Sequence, residues 1–185
     1  MIIAFTGAGI SKASGIPTFE DQGDLRTKLS RSFSKRHPEE YNKIIQGLED
    51  SCKRAKPNDA HLALAEYDIP VITMNVDRLH QRAGTNHVLT VHGDLPNIVL
   101  YEDPAPLYSK ALDMIDRMIE TDILLVVGTS GYTRISTELV TMAKIHGVSV
   151  VKINTNAESN VRAFLENNKS HIGDYDEFMA REIQI

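Results

Sequence analysis

The sequence predicts an α/β fold, a Rossmann-like open parallel sheet with helices on both faces. Three observations carry that prediction. Short apolar runs alternate with amphipathic helical patterns, which suits strands buried on both faces. A turn of small residues, Gly7-Ala8-Gly9-Ile10-Ser11, follows the first apolar run. The residues just past most of the runs are small or hydrogen-bonding, and in an open parallel sheet those positions form the ligand crevice.

In chain order the expected strands are Ile2–Phe5, Val71–Met74, Val88–Val91, Ile98–Tyr101, Ile123–Val127 and Val148–Ile153. Pro38 opens a helix with Tyr41, Ile44, Ile45 and Leu48 on one face, and Asn58 or Asp59 caps another through Leu64. Further helices are expected from Asp77 to Ala83, Leu107 to Glu120, Ser136 to His146 and Glu158 to Asn167, with Gly84 and Gly147 as stops. Phe19 to His37 shows no convincing element. Beside a phosphate-type turn, such a segment reads as a functional loop, and 19–37 is expected to be a cofactor-binding loop.

The 185 residues suit one domain, 1–185. Twenty basic against 25 acidic residues, scattered, leave no electrostatic footprint for nucleic acid or an anionic membrane. No apolar run approaches a membrane span, and Met1-Ile2-Ile3 does not open like a signal peptide, so a cytoplasmic protein is expected. Cys52 is the one cysteine, which excludes an internal disulfide and a four-cysteine zinc site.

The strict dinucleotide fingerprint wants a third glycine where Lys12 stands and an acidic residue closing a second strand about 20 residues on; neither is present, so an ordinary dehydrogenase is disfavoured. No Gly-Lys-Ser/Thr follows the turn, which excludes a Walker A loop. What remains is a set of polar strand ends: Thr6 to Gly9, Asn75-Val76-Asp77, His92-Gly93-Asp94, Gly128-Thr129-Ser130 and Asn154-Thr155-Asn156. Gly7 and Gly9 read either as a phosphate turn or as tight packing, and the small-residue context favours phosphate. Asp77 also reads as a helix cap, His80 as a structural residue, and His37, His61, His87, His146 and His171 have no site context.

With these motifs in order, the chain resembles the sirtuins, the NAD-dependent protein lysine deacylases. Gly7 to Ser11 and Gly15-Ile16-Pro17-Thr18-Phe19 match Gly-Ala-Gly-x-Ser and Gly-Ile-Pro-x-Phe. Thr73 to Gly84 match Thr-Gln-Asn-x-Asp-x-Leu-His-x-x-Ala-Gly with Met74 for Gln, and His92-Gly93, Gly128-Thr129-Ser130 and Ile153-Asn154 complete the set. The resemblance implies NAD consumed as co-substrate and an acyl-lysine protein or peptide as partner. It implies cofactor contacts at Gly7, Ala8, Gly9, Ser11, Ile16, Pro17, Phe19, Asn75, Asp77, Gly128, Thr129, Ser130 and Asn154. Asn75 and Asp77 would hold the nicotinamide and ribose side, Phe19 would shield the base, and His92 would be the general base acting on a ribose hydroxyl.

Departures from the family are equally specific. The small zinc-ribbon module is expected to be absent, since Asp94 to Asn97 lead straight to Ile98, so no metal is expected. Glu20 stands where the family carries an arginine that helps orient NAD. The substrate strand falls on Leu100, Tyr101 and Glu102, and the second flank has Tyr132 after Ser130. Rival readings are an NAD glycohydrolase or ADP-ribosyl transferase, and a module that binds NAD or ADP-ribose without turnover.

Overall fold

The computed structural model describes residues 1–18, 23–131 and 133–183. Five parallel strands form one sheet: β1 (Ile2–Thr6), β2 (Val71–Thr73), β3 (Val88–Thr90), β6 (Ile123–Val127) and β7 (Ser149–Ile153), in the order β3-β2-β1-β6-β7. A separate two-stranded antiparallel hairpin joins β4 (Gly93–Asp94) to β5 (Asn97–Ile98). The strand order reverses between β1 and β6, the place where an open α/β sheet opens its crevice. There the register sets Thr6 beside Val127, so the two following turns meet.

Alternating side chains of β1 and β6 feed two cores, as parallel strands covered on both faces require. Ile3, Phe5, Leu124 and Val126 pack with α6 (Tyr108–Asp116) and α7 (Arg134–Ile145) on one face. Ile2, Ala4, Leu125 and Val127 pack with α4 (Asp59–Glu66) and α8 (Ala157–Asn167) on the other. A third apolar cluster of Leu25, Leu29, Ile45, Cys52 and Leu95 joins α1 (Leu25–Lys28) and α3 (Pro38–Arg54) to the hairpin. The remaining helices are α2 (Arg31–Arg36), α5 (Leu79–Ala83) and α9 (Tyr175–Met179).

The helix starts follow local chemistry. Pro38 occupies the first turn of α3, with Glu39 and Glu40 behind it and Lys53 and Arg54 at the far end, each sign placed to favour the helix dipole. Asn58 caps α4, and Thr133 caps α7 by accepting the Ser136 N–H at 3.2 Å. Gly84 and Gly147 end their helices at φ +92° and +74°, as expected from the sequence.

Two expectations are corrected. Ile98–Tyr101 is not a strand of the sheet: Asn97 and Ile98 belong to the hairpin, and Tyr101 bridges to Ser30. The region 19–37 is not elementless either, because α1 and α2 lie within it, anchored by buried Leu25 and Leu29. Smaller differences are α6, which stops at Asp116 before the expected Glu120, and α5, which starts at Leu79 after the expected Asp77.

Candidate active site

The turns after β1 and β6 are locked backbone to backbone. Gly7 N–H donates to Val127 O at 3.0 Å and Gly9 N–H to Gly128 O at 2.9 Å. A Cβ on Gly9 would lie 2.7 Å from Gly128 Cα, and one on Gly128, whose φ is +63°, would lie 2.2 Å from Ile10 N. The glycines at 7 and 9 therefore permit close packing of two turns, and their N–H groups are spent on protein carbonyls. Of the two readings the sequence offers for Gly7 and Gly9, the structure shows the close packing. Among the described residues the Ala8 N–H has no such partner.

Below this junction lies a buried polar network. Ser11 Oγ donates to Asp77 Oδ2 at 2.6 Å and accepts from Asn75 Nδ2 at 3.1 Å. Asn75 Nδ2 also reaches Gly7 O at 3.2 Å, and Asp77 Oδ1 accepts the Leu79 N–H at 2.9 Å. Asp77 thus holds the Leu79 N–H at the start of α5, whose N-cap position is Arg78, while its other oxygen faces Ser11. Asn75 and Asp77 are both buried. Burial pushes the Asp77 carboxyl above its ordinary range, partly opposed by the bonds from Ser11 and Leu79. No cation lies within ion-pair distance of Asp77 among the described residues.

Two histidines lie in this network. His61 Nδ1 lies 3.1 Å from Asn58 Oδ1 and 3.4 Å from the Asn58 backbone N, and its Nε2 faces Ser11 Oγ, 3.5 Å away. Burial pushes its pKa down to about 4. His80 Nε2 lies 2.9 Å from Thr6 Oγ1, which donates onward to Thr73 Oγ1 at 2.8 Å. Fully buried and beside His61, His80 is held well below its ordinary pKa and stays neutral. His80 packs inside this network, and its Nδ1 has no hydrogen-bond partner among the described residues. His61 was missed; the Asn58-x-x-His61 capping pattern was its local signal, but the contact to Ser11 spans 50 positions.

His92 follows β3 at the lip of the crevice and is half-buried, and its imidazole has no hydrogen-bond partner among the described residues. Burial lowers its pKa, so the ring is neutral near pH 7. Thr129 is buried, whereas Ser130 and Asn154 are exposed at the ends of β6 and β7, and Ile16 and Pro17 follow the turn. Met74 lies against Gly7, and its sulfur accepts from Thr133 Oγ1 at 3.4 Å. Phe19, Glu20 and Tyr132 lie outside the described residues.

Leu100 to Glu102 differ from an extended substrate strand. Tyr101 donates to Leu29 O at 3.0 Å and accepts from Arg31 N at 3.1 Å. Glu102 has φ +82° and its carboxylate accepts from Ser32 N–H and Ser32 Oγ, both at 2.9 Å. One edge of this segment is thus closed by the chain itself. The N–H groups of Leu100 and Glu102 have no partner among the described residues.

The model of the Sir2 family matches residues 7–98. An NAD-dependent protein deacylase of Thermococcus sibiricus is 32% identical, the alignment covering 83% of this chain and 80% of that one. This chain belongs to the Sir2 family. The NAD-dependent protein deacylase SIR2rp3 of Trypanosoma brucei brucei is 33% identical, with 89% and 86% covered. In three dimensions the sirtuin is similar to a Sir2 protein in complex with an inhibitor, 2′-O-acetyl-ADP-ribose and a deacetylated p53 peptide, at 26% identity and TM-score 0.79, covering 91% of this chain and 94% of that one. It shares its fold with a Sir2 homologue–NAD complex at 22% identity and TM-score 0.84, covering 93% and 90%. The five-stranded parallel sheet flanked by helices is thus the Rossmann-like fold of those structures.

Proposed function

We propose that this sirtuin, a single domain, is an NAD-dependent protein lysine deacylase that transfers the acyl group to ADP-ribose and releases nicotinamide. The carrying observation is Asp77, a buried carboxylate with no cation within ion-pair distance among the described residues, which keeps acceptor capacity after the bonds from Ser11 and Leu79. Such a group favours a ligand bearing N–H or O–H donors, as the amide and ribose of NAD do, so the residues present fit the co-substrate. The similarity to the deacylases of Thermococcus sibiricus and Trypanosoma brucei brucei supports the same reading.

Bound NAD would supply an electrophilic ribose carbon whose leaving group is nicotinamide. Asn75 and Asp77 hold that end of the dinucleotide, with the Asn75 amide fixed by Gly7 O and Ser11 so that its carbonyl oxygen is free to accept. Gly7 to Ser11, Ile16 and Pro17 wall the crevice on the β1 side, and Gly128 to Ser130 with Asn154 wall it on the β6 and β7 side; Phe19 is assigned to shielding the base on its sequence position. His92, neutral and without a hydrogen-bond partner among the described residues, takes the proton of a ribose hydroxyl. Leu100 offers its N–H, unpaired among the described residues, to the backbone of an acyl-lysine peptide on the edge that Leu29 to Arg31 leave open, and Tyr101 and Glu102 are assigned to the same substrate segment on sequence position. Tyr132 is assigned to the second flank on its sequence position.

The enzyme is also proposed to be zinc-free and cytoplasmic. The chain has one cysteine, and among the described residues no three His, Cys, Asp or Glu side chains are grouped to hold a metal. No described helix is long and apolar enough to cross a membrane. The test is nicotinamide release from NAD with and without acetyl-, succinyl- and longer acyl-lysine peptides. Release that requires an acyl-lysine peptide is expected. Equal release in every tube, with free ADP-ribose as the second product, would replace the deacylase with a glycohydrolase.

A further inference from the structure

Around the proposed substrate strand the charges are unevenly committed. Glu102 is held by Ser32, Asp103 pairs with Arg31, and Lys28 pairs with Asp24 at 3.0 Å and Glu40 at 3.6 Å. Arg26 is the exception. It is exposed, no carboxylate pairs with it among the described residues, and its guanidinium carbon stands 5.0 Å above the centre of the Tyr101 ring. Stacking on an aromatic face holds the guanidinium plane while its N–H donors stay available.

The position of Tyr101 gives this cation a direction. Its backbone N–H and C=O both turn toward Leu29 and Arg31, which leaves the Leu100 N–H, without a partner among the described residues, to mark the opposite edge, while Leu100 O accepts the Asp103 N–H at 3.0 Å in a turn through Glu102. A peptide strand added on that edge places side chains directly opposite Tyr101 with Cβ atoms about 4.5–5.5 Å apart. A carboxylate in such a side chain then lies within reach of the stacked guanidinium.

We infer that Arg26, presented on Tyr101, selects acyl-lysine substrates that carry an acidic side chain next to the modified lysine. The inference rests on the deacylase reading and adds a substrate class to it. Arg26 acts here as a substrate contact, although it lies in the segment where Glu20 stands in place of the family's cofactor arginine.

The experiment compares two acetyl-lysine peptides that differ only in having Asp or Lys on both sides of the acetyl-lysine, using the wild-type chain, Arg26→Gln and Arg26→Lys at low salt. Wild type is expected to show kcat/KM about fivefold or more in favour of the Asp peptide, falling as salt screens the contact. Arg26→Gln is expected to collapse that ratio, and Arg26→Lys, which keeps the charge and loses the planar stack, to restore part of it. Equal use of both peptides by wild type, or an unchanged ratio in Arg26→Gln, would overturn the inference. So would a rise in the KM for NAD that is the same with both peptides, which would make Arg26 a cofactor ligand. Fluorescence anisotropy of the same labelled peptides reads the preference without turnover, so a chain that consumes no acyl-lysine would sink the deacylase reading while the peptide ratio still decides this one.

Discussion

Gly128→Ala is expected to cost far more stability than an ordinary surface substitution, and the turn junction says how much. At φ +63° an alanine costs roughly 1–2 kcal/mol in backbone conformation. Its methyl would also meet Ile10 N at 2.2 Å, Gly9 C at 2.5 Å and Gly9 Cα at 2.7 Å. These are backbone atoms that cannot swing away, so the β1 and β6 turns must part and strain the Gly9 N–H to Gly128 O bond. Overpacking of that kind costs about 1–3 kcal/mol. Together the terms come to about 2–5 kcal/mol, a large share of the roughly 5–15 kcal/mol that holds such a domain. Two further variants separate the contributions. Gly15 has φ +81° and open space at its Cβ, so Gly15→Ala isolates the backbone cost, about 1 kcal/mol. Gly9→Ala meets Gly128 Cα at 2.7 Å without a positive φ, so it isolates the clash. Urea unfolding of the three variants, with unchanged m-values, gives the ranking. A Gly128→Ala midpoint no lower than that of Gly15→Ala would refute the interlocked turns.

The other predictions concern the site. His92→Ala should lower deacylation by about 10²- to 10⁴-fold with NAD binding largely kept, measured by single-turnover kinetics and calorimetric titration. Because burial lowers the His92 pKa and the neutral ring is the active form, the acid limb of kcat/KM against pH should have its midpoint below 6.5; a midpoint above that value would place the base elsewhere. Asp77→Asn should abolish most activity yet raise the melting temperature. A carboxyl raised by burial is most costly when ionised, so the gain should vanish near pH 3 and grow as the pH rises through the folded pKa. A strong chelator should leave activity and melting temperature unchanged, and elemental analysis should find no stoichiometric zinc; one zinc per chain would contradict the zinc-free proposal.

How much was legible before the structure depended on whether a feature was local. The five sheet strands were readable because continuous runs such as Ile123 to Val127 belong to strands buried on both faces. The caps at Asn58, Gly84 and Gly147 were readable because capping is decided within a few residues. Ile98 to Tyr101 misled because Ile-Val-Leu-Tyr has the composition of a strand, while pairing depends on a neighbour, and Tyr101 finds Leu29 and Arg31 instead. The helices at Leu25–Lys28 and Arg31–Arg36 are too short to declare themselves by periodicity and depend on Leu25 and Leu29 packing into the third core. In the site, Asn75, Asp77 and His92 could be proposed from their places after strands. Close packing at Gly9 could be named as one reading but not chosen, and the role of His61 could not be proposed, because each depends on contacts made by distant residues, Gly128 and Ser11 respectively.

The most direct test of the central claim is the identity of the second product. Mass spectrometry of a reaction containing NAD and an acetyl-lysine peptide should find O-acetyl-ADP-ribose, nicotinamide and deacetylated peptide in equal amounts, with the acetyl group carried intact from lysine to ribose. Free acetate with ADP-ribose formed from the outset, or ADP-ribose attached to the protein, would contradict acyl transfer in this crevice.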